Sequence, residues 1–107
     1  MLVFVYGSLK SDGDNSDKMS RACGKFQFSA TTLKEYFKGQ NGFFEYLIDD
    51  SENNVSPIKG EVYEVPESFI EYLDTFEDPL ERKVIQVQSD NNIYDIWCYF
   101  CEDLNEC

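Results

Sequence analysis

Chemistry in this chain has to be done without histidine. None of its 107 residues is a histidine, so Ser–His and Cys–His nucleophiles and the commonest general base are all excluded. A carboxylate, a lysine or a tyrosine must move any protons. Two short stretches offer such groups in a suggestive setting. The first is the opening "MLVFVYGSLK", in which an apolar run ends in Tyr6-Gly7-Ser8-Leu9. A strand needs a turn and glycine makes turns, so structure alone accounts for it. Equally, a strand end with Gly and Ser can aim backbone N–H groups at an anion or a developing oxyanion. The residues leave both readings open.

The second stretch is "PESFIEYLDTFED", residues 66–78, whose apolar positions recur with a helical period. Pro66 suits a first helical turn and Glu67 complements the positive helix end. Placed on a wheel at about 100° per residue from Phe69, Phe76, Leu73 and Ile70 fill an arc from about −20° to about 100° that faces the core. Glu67, Glu71, Asp74 and Asp78 fall on the opposite, solvent-facing arc. Glu77 falls near 80°, between Leu73 and Ile70. A buried carboxylate is costly unless it is paired or neutralised. Three readings follow: a helix frayed before Glu77, a buried ion pair with Arg82 or Lys83, or a carboxylate of raised pKa that shuttles a proton.

Other chemistries are poorly supplied. Cys98 and Cys101 form a C-x-x-C within "IWCYFCED", which reads as a strand. Residues three apart on a strand face opposite sides and do not converge on a metal. With no second pair and no histidine, no zinc site is expected, nor any other metal or cofactor. The four cysteines read as free thiols in a reducing compartment, with Cys107 in a polar tail. Ser8 as a covalent nucleophile lacks a base, since Lys10 is not at the S-x-x-K spacing.

The elements that must position these groups fit one domain spanning 1–107. "LVFVY" is apolar throughout, as in a strand buried on both faces. "KFQFSATTL" alternates with Phe26, Phe28 and Ala30 on one side, a half-buried strand. Further strands are read in "NGFFEYLI", "IKGEVYEV", "RKVIQVQS" and "IYDIWCYF", with loops at 11–18 and at "DDSENNVSP" and a second helix around 16–22. About six strands and one main helix indicate an α+β domain, a small mixed β-barrel with the helix packed against it.

Bulk charge bounds the partners. Asp and Glu outnumber Lys and Arg 21 to 9, a formal charge of −12. That surface repels phosphate backbones, so nucleic-acid binding is not expected, and a basic protein partner is the macromolecule that it would favour. No apolar run reaches the roughly 20 residues of a membrane helix, and no leader pattern opens the chain, so a cytoplasmic protein is expected.

Two separated stretches resemble one family. Tyr6-Gly7-Ser8-Leu9, then Gly60-Glu61-Val62-Tyr63-Glu64-Val65 and Leu73-Asp74-Thr75-Phe76-Glu77, resemble in order the signature segments of the gamma-glutamylcyclotransferase-like proteins. These include gamma-glutamylamine cyclotransferases and plant avirulence-induced relatives. Asn15 and Trp97-Cys98-Tyr99 also fit the pattern. The resemblance implies a cofactor-free enzyme that releases 5-oxoproline from a γ-glutamyl amine or peptide, the substrate's own α-amine being the nucleophile. It further implies Glu77 as general acid/base, with Tyr6, Gly7, Ser8, Leu9, Asn15 and Arg82 around the substrate. There are departures: "EDPLERKV" lacks a Tyr before Arg82, "GFFEY" lacks a proline, and Lys10-Ser11-Asp12-Gly13 is one residue longer before its glycine than in many relatives. A non-catalytic family member that binds a small molecule or a protein is the alternative, and an acidic nucleic-acid mimic a third. The leaving amine and the oligomeric state are not legible.

Overall fold

The computed structural model describes residues 1–41, 44–50 and 52–102. In chain order the elements are β1 (Leu2–Val5), α1 (Ser16–Arg21), β2 (Lys25–Thr32), β3 (Phe37–Asn41), β4 (Phe44–Ile48) and β5 (Lys59–Glu64). A 3₁₀ turn (Glu67–Phe69) then leads into α2 (Ile70–Glu77), followed by β6 (Glu81–Ser89) and β7 (Asn92–Phe100). Five strands close a barrel in the order β1-β5-β2-β6-β7, while β3 and β4 form a separate antiparallel ribbon. Closure comes from β1 and β7, which run parallel with Val3 opposite Trp97 and Phe4 opposite Cys98. The other barrel pairs are antiparallel. The α+β barrel expected from sequence is present.

Alternation along β1 explains why it is apolar throughout. Phe4 packs with Val62, Val87, Ile96 and Cys98 in one buried cluster. Val3 and Val5 pack on its other side with Met19 of α1 and Ile70 and Leu73 of α2. One strand therefore serves both the barrel interior and the helix-covered face, and each side needs apolar residues. Gly60 of β5 is there for a close approach, because a side chain at that position would collide with the Val5 carbonyl and the Phe4 ring.

Four expectations need correction. Seven strands are present among the described residues, against about six: β3 was not anticipated, because "FKGQN" has little apolar alternation and is a strand through its pairing with β4. Phe26, Phe28 and Ala30 do not share one covered face. The β2–β5 register shifts between Phe26 and Phe28, leaving Phe26 exposed while Ala30 is buried. Phe69, expected in the core arc, is also exposed, since it lies in the 3₁₀ turn before α2 begins. Cys23 and Cys98 are free, but Cys101 is disulfide-bonded. Gly42 and Phe43 of the "NGFFEYLI" stretch and the polar tail with Cys107 lie outside the described residues.

Candidate active site

Where β1 and β7 end together, the chain leaves the barrel through Tyr6-Gly7-Ser8-Leu9. Tyr6 still follows the strand's alternation, and its buried phenol donates to the Tyr99 carbonyl at 2.8 Å and accepts from the Leu47 amide at 3.2 Å. Burial raises the phenol pKa well above its usual range, so it stays protonated as a strut between β1, β7 and β4. The turn beyond it is closed by its own hydrogen bonds. Lys10 N donates to the Gly7 carbonyl at 3.1 Å, and Asn15 N donates to the Ser8 carbonyl at 2.8 Å. The Asn15 amide also donates to Ser8 Oγ at 2.9 Å. With those carbonyls occupied, the Gly7, Ser8 and Leu9 amides donate to no acceptor among the described residues. They are three neighbouring donors available to a ligand.

The opposite wall is the end of α2. The helix stops at Glu77 because Asp78 has extended dihedrals (φ −49°, ψ 131°), the conformation favoured before the Pro79 that follows. Ile70, Leu73 and Glu77 are its buried residues, the arc drawn by the wheel. Glu77 is only 8% exposed. It is neither frayed nor paired: Arg82 bonds Asp74 and Lys83 pairs with Glu102. Among the described residues the Glu77 carboxyl has no hydrogen-bond partner, and burial raises its pKa from 4.5 to about 7. Near neutral pH it therefore populates both protonation states, as a group that accepts and then returns a proton must.

Between these walls lies a cavity of about 110 Å³, lined by the turn, Asn15, Phe76, Glu77 and Tyr99, with Glu45 of the ribbon at its edge. A second, more polar cavity of about 280 Å³ adjoins it, sharing Tyr6, Gly7, Ser8 and Glu45 and adding Lys10, Asp12, Asp14 and Lys38. The ribbon crosses close over the turn. Lys38 pairs with Glu45 at 2.5 Å and donates to the Tyr6 carbonyl at 3.3 Å. No group of three or more metal-binding side chains occurs among the described residues.

Six of the seven residues singled out from sequence thus meet around one cavity: Tyr6, Gly7, Ser8, Leu9, Asn15 and Glu77. Arg82 does not. Its guanidinium bonds both carboxylate oxygens of Asp74, at 2.7 and 3.1 Å, and lies 5.1 Å from the Trp97 ring centre. Asp74, placed on the solvent arc by the wheel, also accepts the Tyr99 phenol at 2.7 Å. Tyr99 and Glu45 were not singled out as site residues. The aromatic pair in β7 was a signal for the first; for Glu45 only the missing proline was available.

Residues 3–107 match the family described as gamma-glutamyl cyclotransferase, AIG2-like. No curated protein sequence matches the chain. Among solved structures, the chain is similar to an AIG2-like protein from Mus musculus, with a TM-score of 0.82 and 24% identity over 94% of this chain and 76% of that one. It is also similar to YkqA from Bacillus subtilis, with a TM-score of 0.76 and 26% identity over 94% of this chain and 35% of that one. A uropathogenic E. coli-specific protein, c4763, shares the fold at 19% identity and a TM-score of 0.78, over 95% of this chain and 79% of that one. The match over almost the whole length, on the barrel just described, places this chain in the gamma-glutamyl cyclotransferase, AIG2-like family.

Proposed function

We propose that the protein releases 5-oxoproline from a γ-glutamyl amine or peptide, with Glu77 as the general acid/base. The substrate's γ-glutamyl end occupies the smaller cavity and its leaving group extends into the adjoining polar one. Glu77, as carboxylate, takes a proton from the substrate α-amine, which attacks the γ-carbonyl carbon. The carbonyl oxygen gains negative charge and is met by the free amides of the Tyr6–Leu9 turn. Glu77 then returns the proton to the departing nitrogen as the C–N bond breaks. The products are 5-oxoproline and a free amine; no water, metal or redox partner is consumed. Because nucleophile and electrophile belong to one molecule, holding them in attack geometry supplies much of the acceleration.

One observation carries this reading: a buried carboxyl without a partner lines the same cavity as a turn whose three backbone amides have no acceptor among the described residues. Asn15 holds Ser8 in place, and Ser8 has no activating base, which supports a non-covalent route. The test is 5-oxoproline release from a panel of γ-glutamyl amines and peptides, beside the Glu77→Gln variant. Release that falls by roughly 10² to 10⁴ in a folded variant is the expected result. No release from any member of the panel by the folded wild-type protein would overturn the reading in favour of a binding protein.

A further inference from the structure

The Glu77 carboxyl has no hydrogen bond among the described residues, so only the residue's backbone, whose carbonyl accepts from the Leu80 amide at 2.8 Å, and its apolar neighbours can hold it in place. That backbone is the last residue of an eight-residue helix with no side-chain cap at its start. Its apolar contacts, through Ile70 and Leu73, resist lifting of the helix but are weak against sliding or rotation. Among the described residues, every side-chain hydrogen bond from α2 to the barrel passes through Asp74, one turn before Glu77. Asp74 is held by the Arg82 fork from β6 and by the Tyr99 phenol from β7. Tyr99 lines the cavity, and its carbonyl takes the Tyr6 phenol at 2.8 Å. One residue thus links the helix that carries Glu77 to the strand that leads into the donor turn.

We propose that Arg82, Asp74 and Tyr99 form a tether that sets the position of Glu77 relative to the Tyr6–Leu9 turn, making them positioning residues for the reaction proposed above. This rests on Glu77 being the acid/base. Arg82 acts on the site without touching it: its planar fork fixes the Asp74 carboxylate, which in turn orients the Tyr99 ring. The Tyr99 hydroxyl stays protonated, because burial and the bond to Asp74 both raise its pKa. It is therefore a permanent donor in this chain of bonds. Without the tether the last turn of α2 can drift from the barrel and admit water to the carboxyl. The Tyr6 and Tyr99 phenols and the Cys98 thiol, all neutral, feel the Glu77 charge, and Glu45, which lines the same cavity, is paired with Lys38. Burial alone raises the Glu77 pKa, so hydration is what would lower it.

Two measurements test this on the intact chain. The carboxyl of Glu77, followed by NMR in glutamate-labelled protein, should titrate near 7 in the wild type. In Tyr99→Phe and Arg82→Met its midpoint should fall by about one unit toward the ordinary value. In the same variants kcat should drop about tenfold with KM nearly unchanged, as expected on losing one hydrogen bond that matters chiefly in the transition state. Arg82→Lys should restore only part of either effect, because a point charge cannot reproduce the fork. Thr75→Ala is the control: its hydroxyl bonds the Glu71 carbonyl within the helix, so loss of helix stability alone should leave the titration unmoved. A Glu77 midpoint and a kcat that both stay at wild-type values in folded Tyr99→Phe and Arg82→Met would overturn the tether. If the wild type releases no 5-oxoproline, the functional reading fails separately, and the titration still decides whether the tether sets the carboxyl's environment.

Discussion

The two walls of the cavity are built in opposite ways. On the β1 side, the turn is cross-braced: two backbone bonds close it, the Asn15 side chain holds the Ser8 hydroxyl and the Tyr6 phenol ties its base to two other strands. On the α2 side, the group that faces the cavity is left alone, a carboxyl at a helix end with no donor and a pKa raised to about 7 by burial. The contrast suits the reaction proposed above. Dipoles that stabilise a developing charge act best when they are fixed beforehand, so their carbonyl sides are satisfied and only N–H groups remain. A proton carrier must do the reverse. A strong donor on Glu77 would hold it ionised and useless as an acid.

That contrast can be attacked from either side. The largest effect expected is on stability against pH at Glu77. Its folded pKa of about 7 lies above its ordinary 4.5, so the folded state binds the extra proton between those values. Stability is therefore fully present below pH 4.5 and is lost as pH rises through 7, by about 3 kcal/mol. Urea unfolding of wild type and Glu77→Gln across this range should show the loss in the wild type alone. Parallel curves would mean that the carboxyl is hydrated and the second wall is not as described. Next comes the braced wall. A side chain at Gly13 would collide with the Ser8 backbone, so Gly13→Ala should displace the turn, costing about 2 kcal/mol in a thermal melt and most of the activity. A variant with unchanged kcat would show that the brace is dispensable. The smallest effect separates the turn's amides from its hydroxyl. Ser8→Ala keeps every backbone donor and should cost at most about fivefold in kcat/KM, whereas Asn15→Ala, which frees the loop end, should cost about tenfold. Abolished activity in Ser8→Ala would instead make the hydroxyl a nucleophile.

What the sequence made visible was local. The unbroken apolar run of β1 implied two buried sides, and the wheel put Glu77 among leucine and isoleucine, where it is found. Asp74 was misplaced for a physical reason. A wheel treats a helix as lying on one flat core, but the shoulder of α2 rests against Tyr99 of β7 and Arg82 of β6, which turns a formally solvent-facing carboxylate into an anchor. The partners lie 8 and 25 positions away, and no periodicity reports them. The same holds for the ribbon. β3 carries Lys38 and Gln40 to the polar cavity, yet its strand character exists only opposite β4, with Gly39 making room for the Tyr46 ring. Phe26 shows the remaining kind of failure, where a single bulge undoes an alternation that was regular on paper.

The parallel pairing of the first barrel strand with the last has a temporal consequence. Contacts between residues far apart in the chain form slowly, because the loop they close is long. Here the bond from Tyr6 to Tyr99 spans 93 positions, and it lies beside the cavity. A nascent chain that has emerged only through α2 already carries the turn and Glu77, but it has neither the seam that closes the barrel nor the aromatic ring between them. Activity should therefore appear late and abruptly during folding, at the step that joins the two ends of the barrel, and every earlier fragment should be inert.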